Sequence, residues 1–126
     1  MNKFISKSVL TFLVLIVSCY AGEINYRFSY KIFSEDRHTL DAGTLSFTAD
    51  SNDLFVGHGT MTGYDELPLH GVLVEDTAYI YLSPPNVTDI SYVFKGRLTY
   101  LTFDGFYGKS GFGGVTEWFE FKARRN

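Results

Sequence analysis

Ile24-Asn25-Tyr26-Arg27-Phe28-Ser29-Tyr30-Lys31-Ile32-Phe33 is the stretch from which the fold is read. Ile24, Tyr26, Phe28, Tyr30 and Ile32 alternate with Asn25, Arg27, Ser29 and Lys31, the two-residue period of a strand with one buried and one wet face. Gly43 to Ala49 repeats the pattern, setting Leu45, Phe47 and Ala49 against Thr44, Ser46 and Thr48. Leu54 to Thr62 reads as a third strand, with Gly57 and Gly59 as a bulge or tight bend. Leu69 to Val74 and Thr77 to Leu82 read as a hairpin across Glu75-Asp76, and Ile90 to Lys95, Leu98 to Phe103 and Val115 to Arg124 complete the series. Between them lie turn signals at Ser34 to Asp41, Asp50-Ser51-Asn52-Asp53, Gly63 to Pro68, Ser83-Pro84-Pro85-Asn86, Asp104-Gly105 and Tyr107 to Gly114.

These segments give about eight strands at roughly ten-residue spacing, with no sustained helical period. Connections this short require antiparallel neighbours, because a parallel pair needs a crossover of about a dozen residues or more. The expected fold is all-β: an antiparallel meander closed as a small up-and-down barrel, which removes the two exposed edges. A two-sheet β-sandwich is the alternative. Strands apolar on both faces favour the barrel: Tyr79 and Tyr81 against Ile80 and Leu82, and Trp118 against Phe119 and Phe121. A second apolar face needs a ligand, a partner or a covering loop. Glycine-rich strands ending in a Trp-containing segment make the plan similar to small secreted barrels of the lipocalin or avidin sort, and no site residue follows from that likeness.

Residues 1 to 21 read as a cleaved secretory leader and 22 to 126 as a single β domain. Lys3 and Lys7 precede an apolar stretch from Val9 to Val17, about nine residues, against the ~20 needed to span a bilayer. Ile16-Val17-Ser18-Cys19 resembles a bacterial lipobox, which implies lipidation of Cys19 and anchoring to a membrane surface. Cleavage after Ala21, with Cys19 and Ala21 as the small residues, is the alternative. The expected location is therefore secreted or periplasmic, in the cell envelope, with a possible anchor at Cys19. A membrane-spanning barrel fits poorly, since several strands are short and their second faces carry Arg27, Lys31 and Lys95.

Lys3 and Lys7 leave with the leader, so the mature chain carries nine basic against fourteen acidic residues. That balance disfavours nucleic acid, whose binding is driven by Lys and Arg displacing counterions from phosphates. A single cysteine excludes an internal disulfide framework. His38, His58 and His70 have spacings that match no metal-ligand pattern, although His58 and His70 would fall on adjacent strands of a meander. Neither Gly57-His58-Gly59 nor the Gly108 to Gly114 loop precedes a helix able to hold a phosphate. Glu117 and Glu120 are an odd number apart on one strand and so cannot form a glycosidase pair, and Gly-x-Ser-x-Gly is absent. Asn86-Val87-Thr88 fits a glycosylation sequon and is read here as loop sequence. No cofactor and no metal are expected.

The aromatics are the most informative group, and most must fill the core. Trp118, Tyr79, Tyr81, Tyr92 and Tyr100 carry polar tips that suit recognition. The expected function is non-enzymatic binding, with a small apolar or aromatic molecule held in the barrel mouth by these five residues. The alternative is recognition of another secreted or envelope protein, such as a hydrolase to be inhibited, through the acidic loops Glu35-Asp36, Asp65-Glu66 and Glu75-Asp76. A third reading is a small barrel cyclase or isomerase using Asp104 or Glu117 in a wet pocket. The intact mass of protein purified from its own host is expected to start at Cys19 with a diacylglycerol-sized increment, or at Gly22 without one; a chain retaining Met1 would overturn the leader.

Overall fold

The structure, a computed structural model, describes residues 23–85, 90–111 and 113–126. The leader with its lipobox, including Cys19, and the sequon at 86–88 lie outside the described residues. Eight strands are seen: β1 (Ile24–Phe33), β2 (Thr39–Ala49), β3 (Leu54–Met61), β4 (Tyr64–Val74), β5 (Thr77–Leu82), β6 (Ser91–Leu98), β7 (Thr102–Gly111) and β8 (Gly114–Arg125). Each pairs antiparallel with the next, and β1 also pairs with β8, from Phe28 opposite Arg125 to Phe33 opposite Glu120. The meander is therefore closed as a barrel, not split into two sheets.

Closure follows from what the alternation buries. Phe28, Tyr30, Ile32, Leu45, Phe55, Leu67, Ile80, Leu82, Phe94, Phe103 and Phe121 are almost fully buried and converge on one core. An eight-stranded barrel has an interior just wide enough for side chains to fill. Aromatic edges do the filling. Phe121 meets Phe94 with ring centroids at 5.1 Å and Phe103 at 4.8 Å, both edge-on, and Tyr30 meets Phe94 at 4.9 Å. Each such ring contributes about 1.5–3 kcal/mol by leaving water.

Tyr30 brings a hydroxyl into this apolar interior, and the cost of an unpaired polar group is avoided by geometry. Its Oη donates to the Thr60 carbonyl at 2.7 Å across the intervening β2. Gly43 makes that reach possible: a Cβ there would lie 2.7 Å from Tyr30 Oη and 2.1 Å from Thr60 O.

Three expected turns are strand instead. The turn between β3 and β4 is confined to Thr62-Gly63, Gly63 having φ +92°. Pro68 consequently sits inside β4, opposite His58. It is tolerated because its carbonyl accepts from Ser83 N at 3.1 Å, just past the end of β5. Its missing N–H would point the same way, toward Ser83, so the β4–β5 ladder loses a bond only beyond its end, where the strand stops in any case. Asp104-Gly105 is the middle of β7, and the β6–β7 turn is Thr99 to Leu101. Most of Tyr107 to Gly114 likewise extends the β7–β8 hairpin. Gly57 and Gly59 lie in the ladder, and the β3 irregularity falls between Gly59 and Met61.

Gly105 faces Gly96 across the β6–β7 pair, and a Cβ on Gly105 would lie 2.0 Å from Lys95 O and 2.5 Å from Gly96 Cα. Backbone cannot yield as a flexible side chain can. Gly111 has open space around the same position. Gly105→Ala is therefore expected to lower the melting temperature markedly while Gly111→Ala changes it little; equal effects would show that close strand approach at this corner is not required.

Candidate functional site

An up-and-down barrel sends alternate connections to opposite rims. Residues 50–53, 75–76 and 99–101, with the start of β1 and the end of β8, form the near rim. Residues 34–38, 62–63, 83–85, 90 and 113 belong to the far rim. Five aromatic residues expected to act together are distributed by this geometry over three places. Tyr79, Tyr81 and Trp118 are on the outer wall, Tyr92 is in the far mouth, and Tyr100 is on the near rim.

The outer wall carries two continuous rows because the register aligns them. One runs Val56, His70, Tyr81, Val93, Gly108, Trp118 across β3 to β8. The next runs Leu54, Val72, Tyr79, Lys95, Phe106, Glu120. His70 stacks on Tyr81 at 5.3 Å, and Lys95 Nζ lies 4.8 Å from the Trp118 ring centroid. Trp118 lies beside Gly108, where a Cβ would come within 3.2 Å of its Cε3. Phe106 is 52% and Trp118 40% exposed, and the two line shallow depressions with Lys95 and with Phe33, Ser34, Glu35 and Arg37. Sequence reasoning does not pick out Phe106, and it weighs His70 only as a metal ligand and Lys95 only as a charge on a strand's second face. Their signal was available only as period: each is outward on a strand whose other face is also apolar.

The outward residues of β1 and β2 differ completely, with Asn25, Arg27, Ser29 and Lys31 beside Thr44, Ser46 and Thr48. An apolar interior under a half-polar wall is the reverse of a barrel that faces lipid all round. Among the described residues, no helix is long and apolar enough to cross a membrane.

The far mouth is built from inward positions. Tyr92 on β6 follows from its pairing with Leu82, and Tyr107 on β7 from its pairing with Phe94. Tyr64, at the start of β4, reaches Tyr92 because β5 ends before this level; their centroids are 6.2 Å apart. Tyr92 and Tyr107 are nearly parallel at 6.3 Å. Asp41 joins this layer from β2, opposite the inward Ile32. Its Oδ1 accepts from Ala42 N at 2.7 Å and from Thr62 Oγ1 at 2.6 Å, which ties β2 to the β3–β4 turn.

The phenols here are held neutral. Burial, reinforced by the charges of Asp41 and Tyr107, pushes Tyr30 well above the ordinary phenol range. Burial, then Tyr92 and Asp41, does the same to Tyr107. Tyr92 is pushed up to about 12 by burial first, then by its hydrogen bond with Tyr64 and the charges of Tyr64 and Asp41. At the near rim Tyr26 is raised by burial, then Asp53 and Tyr100. Tyr100 packs on Tyr26 at 6.2 Å, and the Arg125 guanidinium lies 3.9 Å from its ring centroid.

The acidic pairs are divided as well. Glu35 and Asp36 are in the β1–β2 loop and Asp65 and Glu66 open β4, all at the far rim, whereas Glu75 and Asp76 form the β4–β5 turn at the near rim. Asp65 and Glu66 are strand residues rather than loop residues. Arg37 pairs with Glu120 and His58 lies 4.0 Å from Glu66. Asp104 is on the outer wall, paired with Arg124, and Glu117 is exposed. His58 and His70 do lie on adjacent strands, yet among the described residues no three metal-ligating side chains come together. No family model, curated protein or solved structure matches the chain.

A raised phenol pKa in the fold stabilises below the unfolded value near 10, and that contribution is lost as pH rises through the folded value. Stability is thus expected to fall from about pH 10 toward 12, with phenolate absorbance of the mouth tyrosines appearing together with unfolding. Tyr92→Phe should move the unfolding midpoint to higher pH; phenolate signal from all tyrosines before any loss of structure would refute the assignment.

Proposed function

We propose that this protein is a non-enzymatic binding protein, secreted or anchored to the envelope through Cys19, that recognises another secreted or envelope protein with its outer aromatic wall. The observation that supports this most is the contrast between a full interior and an uncovered wall. Packed Phe, Tyr, Leu and Ile side chains occupy the lumen, while Phe106 and Trp118 stand half-exposed beside Lys95, Tyr79 and Tyr81. Aromatic residues dominate interface energetics because they offer large contact area with few rotors to freeze. A contiguous exposed apolar patch rimmed by charge marks such surfaces. Glu120, Arg37 and Glu35 supply the rim here, so the acidic β1–β2 loop contributes to the partner's orientation and the wall to its affinity.

A second reading concerns the far mouth. A small ligand has room only above the packed core, where Tyr64, Tyr92 and Tyr107 form the uppermost inward layer. Catalysis by Asp104 or Glu117 gains no support, since neither carboxylate lines the interior.

A photocrosslinking amino acid in place of Phe106 is expected to capture one protein species from the native envelope or medium. The same group at Thr48, on the polar wall, should capture none. Trp118→Ala in the Phe106-labelled protein should abolish the product without changing the thermal melt. Equal capture from both walls, or from neither, would overturn recognition by the aromatic wall.

A further inference from the structure

We propose that the far mouth binds a small organic cation, an alkyl- or arylammonium, against the faces of Tyr64, Tyr92 and Tyr107 with Asp41 as counter-ion. This deepens the mouth reading and is independent of the outer wall. The first support is the placement of Asp41. Strand parity sets it in line with Gly43, Leu45, Phe47 and Ala49, the inward side of β2. It puts a half-exposed negative charge at the mouth end of an otherwise apolar inward file. Its hydrogen bonds engage Oδ1, with Ala42 N, Thr62 N and Thr62 Oγ1 as donors. Among the described residues, no Lys, Arg or His forms an ion pair with it. Anchoring the turn uses one oxygen; Lys109, opposite Tyr92 across the β6–β7 pair, is exposed at the same mouth and is not in an ion pair with Asp41.

The second support is what else faces the same mouth. Tyr64, Tyr92 and Tyr107 are half-buried, pack against the core and succeed one another at 6.2 and 6.3 Å. Ring faces carry the negative part of the aromatic quadrupole, so three rings and a carboxylate attract the same sign of charge. The field of Asp41 reaches Tyr30, Tyr92 and Tyr107, each of which it helps to hold in the neutral form.

Size and chemistry narrow the class. Tyr30 and Phe94 floor the mouth, so a ligand occupies one layer of side chains and must be small. A bare divalent metal would want several oxygen ligands, and this layer offers one carboxylate. A substituted ammonium is served by both features at once: its charge by Asp41 and its methyl or methylene groups by the rings.

The test uses choline and its neutral carbon isostere 3,3-dimethyl-1-butanol, each titrated into isotopically labelled mature protein and followed by amide chemical shifts. Choline is expected to shift the amides of Asp41, Tyr64, Tyr92 and Tyr107 saturably, and the isostere to bind at least about tenfold more weakly, the range cation–π contacts and a counter-ion provide. Asp41→Asn keeps an acceptor for Ala42 and Thr62 while removing the charge, and should weaken choline by about tenfold or more with an unchanged melt. Should that variant not fold, Tyr92→Leu and Tyr92→Phe decide: loss of the face abolishes binding, whereas loss of the hydroxyl alone preserves it. Equal affinity for the two probes, no saturable shifts with choline, or undiminished binding in folded Asp41→Asn or Tyr92→Leu overturns the proposal. Trp118→Ala should leave choline binding intact, so failure here and failure of the outer wall are told apart.

Discussion

Phe28, Phe94, Phe103 and Phe121 come from β1, β6, β7 and β8, and their mutual contact requires β1 and β8 to pair. Phe28 meets Phe103 at 6.2 Å and Phe121 bridges Phe94 and Phe103, so the seam of the barrel is closed over an aromatic cluster that spans it. The rest of the molecule depends on that closure. It fixes which residues face inward, removes both sheet edges, and leaves the outer wall as the larger surface on which anything can dock. Glycines serve the same constraint. Gly96 against Gly105 and Gly43 beneath Tyr30 occur where strands or a crossing side chain approach too closely for a Cβ.

A filled small barrel separates two jobs that a wider one combines. In a barrel with a hollow lumen, the inward residues can both stabilise and recognise. Here the inward set is committed to packing, apart from the uppermost layer at the far mouth. Under the proposed function, recognition falls to that layer and to the outer wall. The wall is lopsided, polar over β1 and β2 and bearing Tyr79, Tyr81, Phe106 and Trp118 over β5, β7 and β8. The mouth is also lopsided in charge, with Asp41 set among phenols.

The expectations read from alternation survived where the period was strict. β1 matches the alternating decapeptide from Ile24 to Phe33, because every second residue there is apolar and no glycine or proline interrupts it. The boundaries failed where turn-forming residues were used for another purpose. Pro68 and Asp104-Gly105 read as turns, yet Pro68 faces β5 just beyond that strand's end, where one missing ladder bond is tolerated, and Gly105 is a strand contact. Local propensity gives way when tertiary contact supplies the compensation. The candidate site was legible in part. Tyr79, Tyr81 and Trp118 share the wall, but Phe106 and Lys95 join them only through register, and Tyr92 and Tyr100 are sent to opposite rims.

By itself, the sequence determined that the chain is all-β, antiparallel and provided with about eight strands, because side-chain alternation and short polar turns are local properties. It also determined which residue types were available for recognition. Only the tertiary structure decided that β1 pairs with β8, that the lumen is full, and that Lys95, Phe106 and Trp118 share one wall while Asp41 is at the same mouth as Tyr92 and Tyr107. The pairings depend on register between strands up to about a hundred residues apart in sequence, and a period of two says which face a residue occupies without saying which neighbour it meets there.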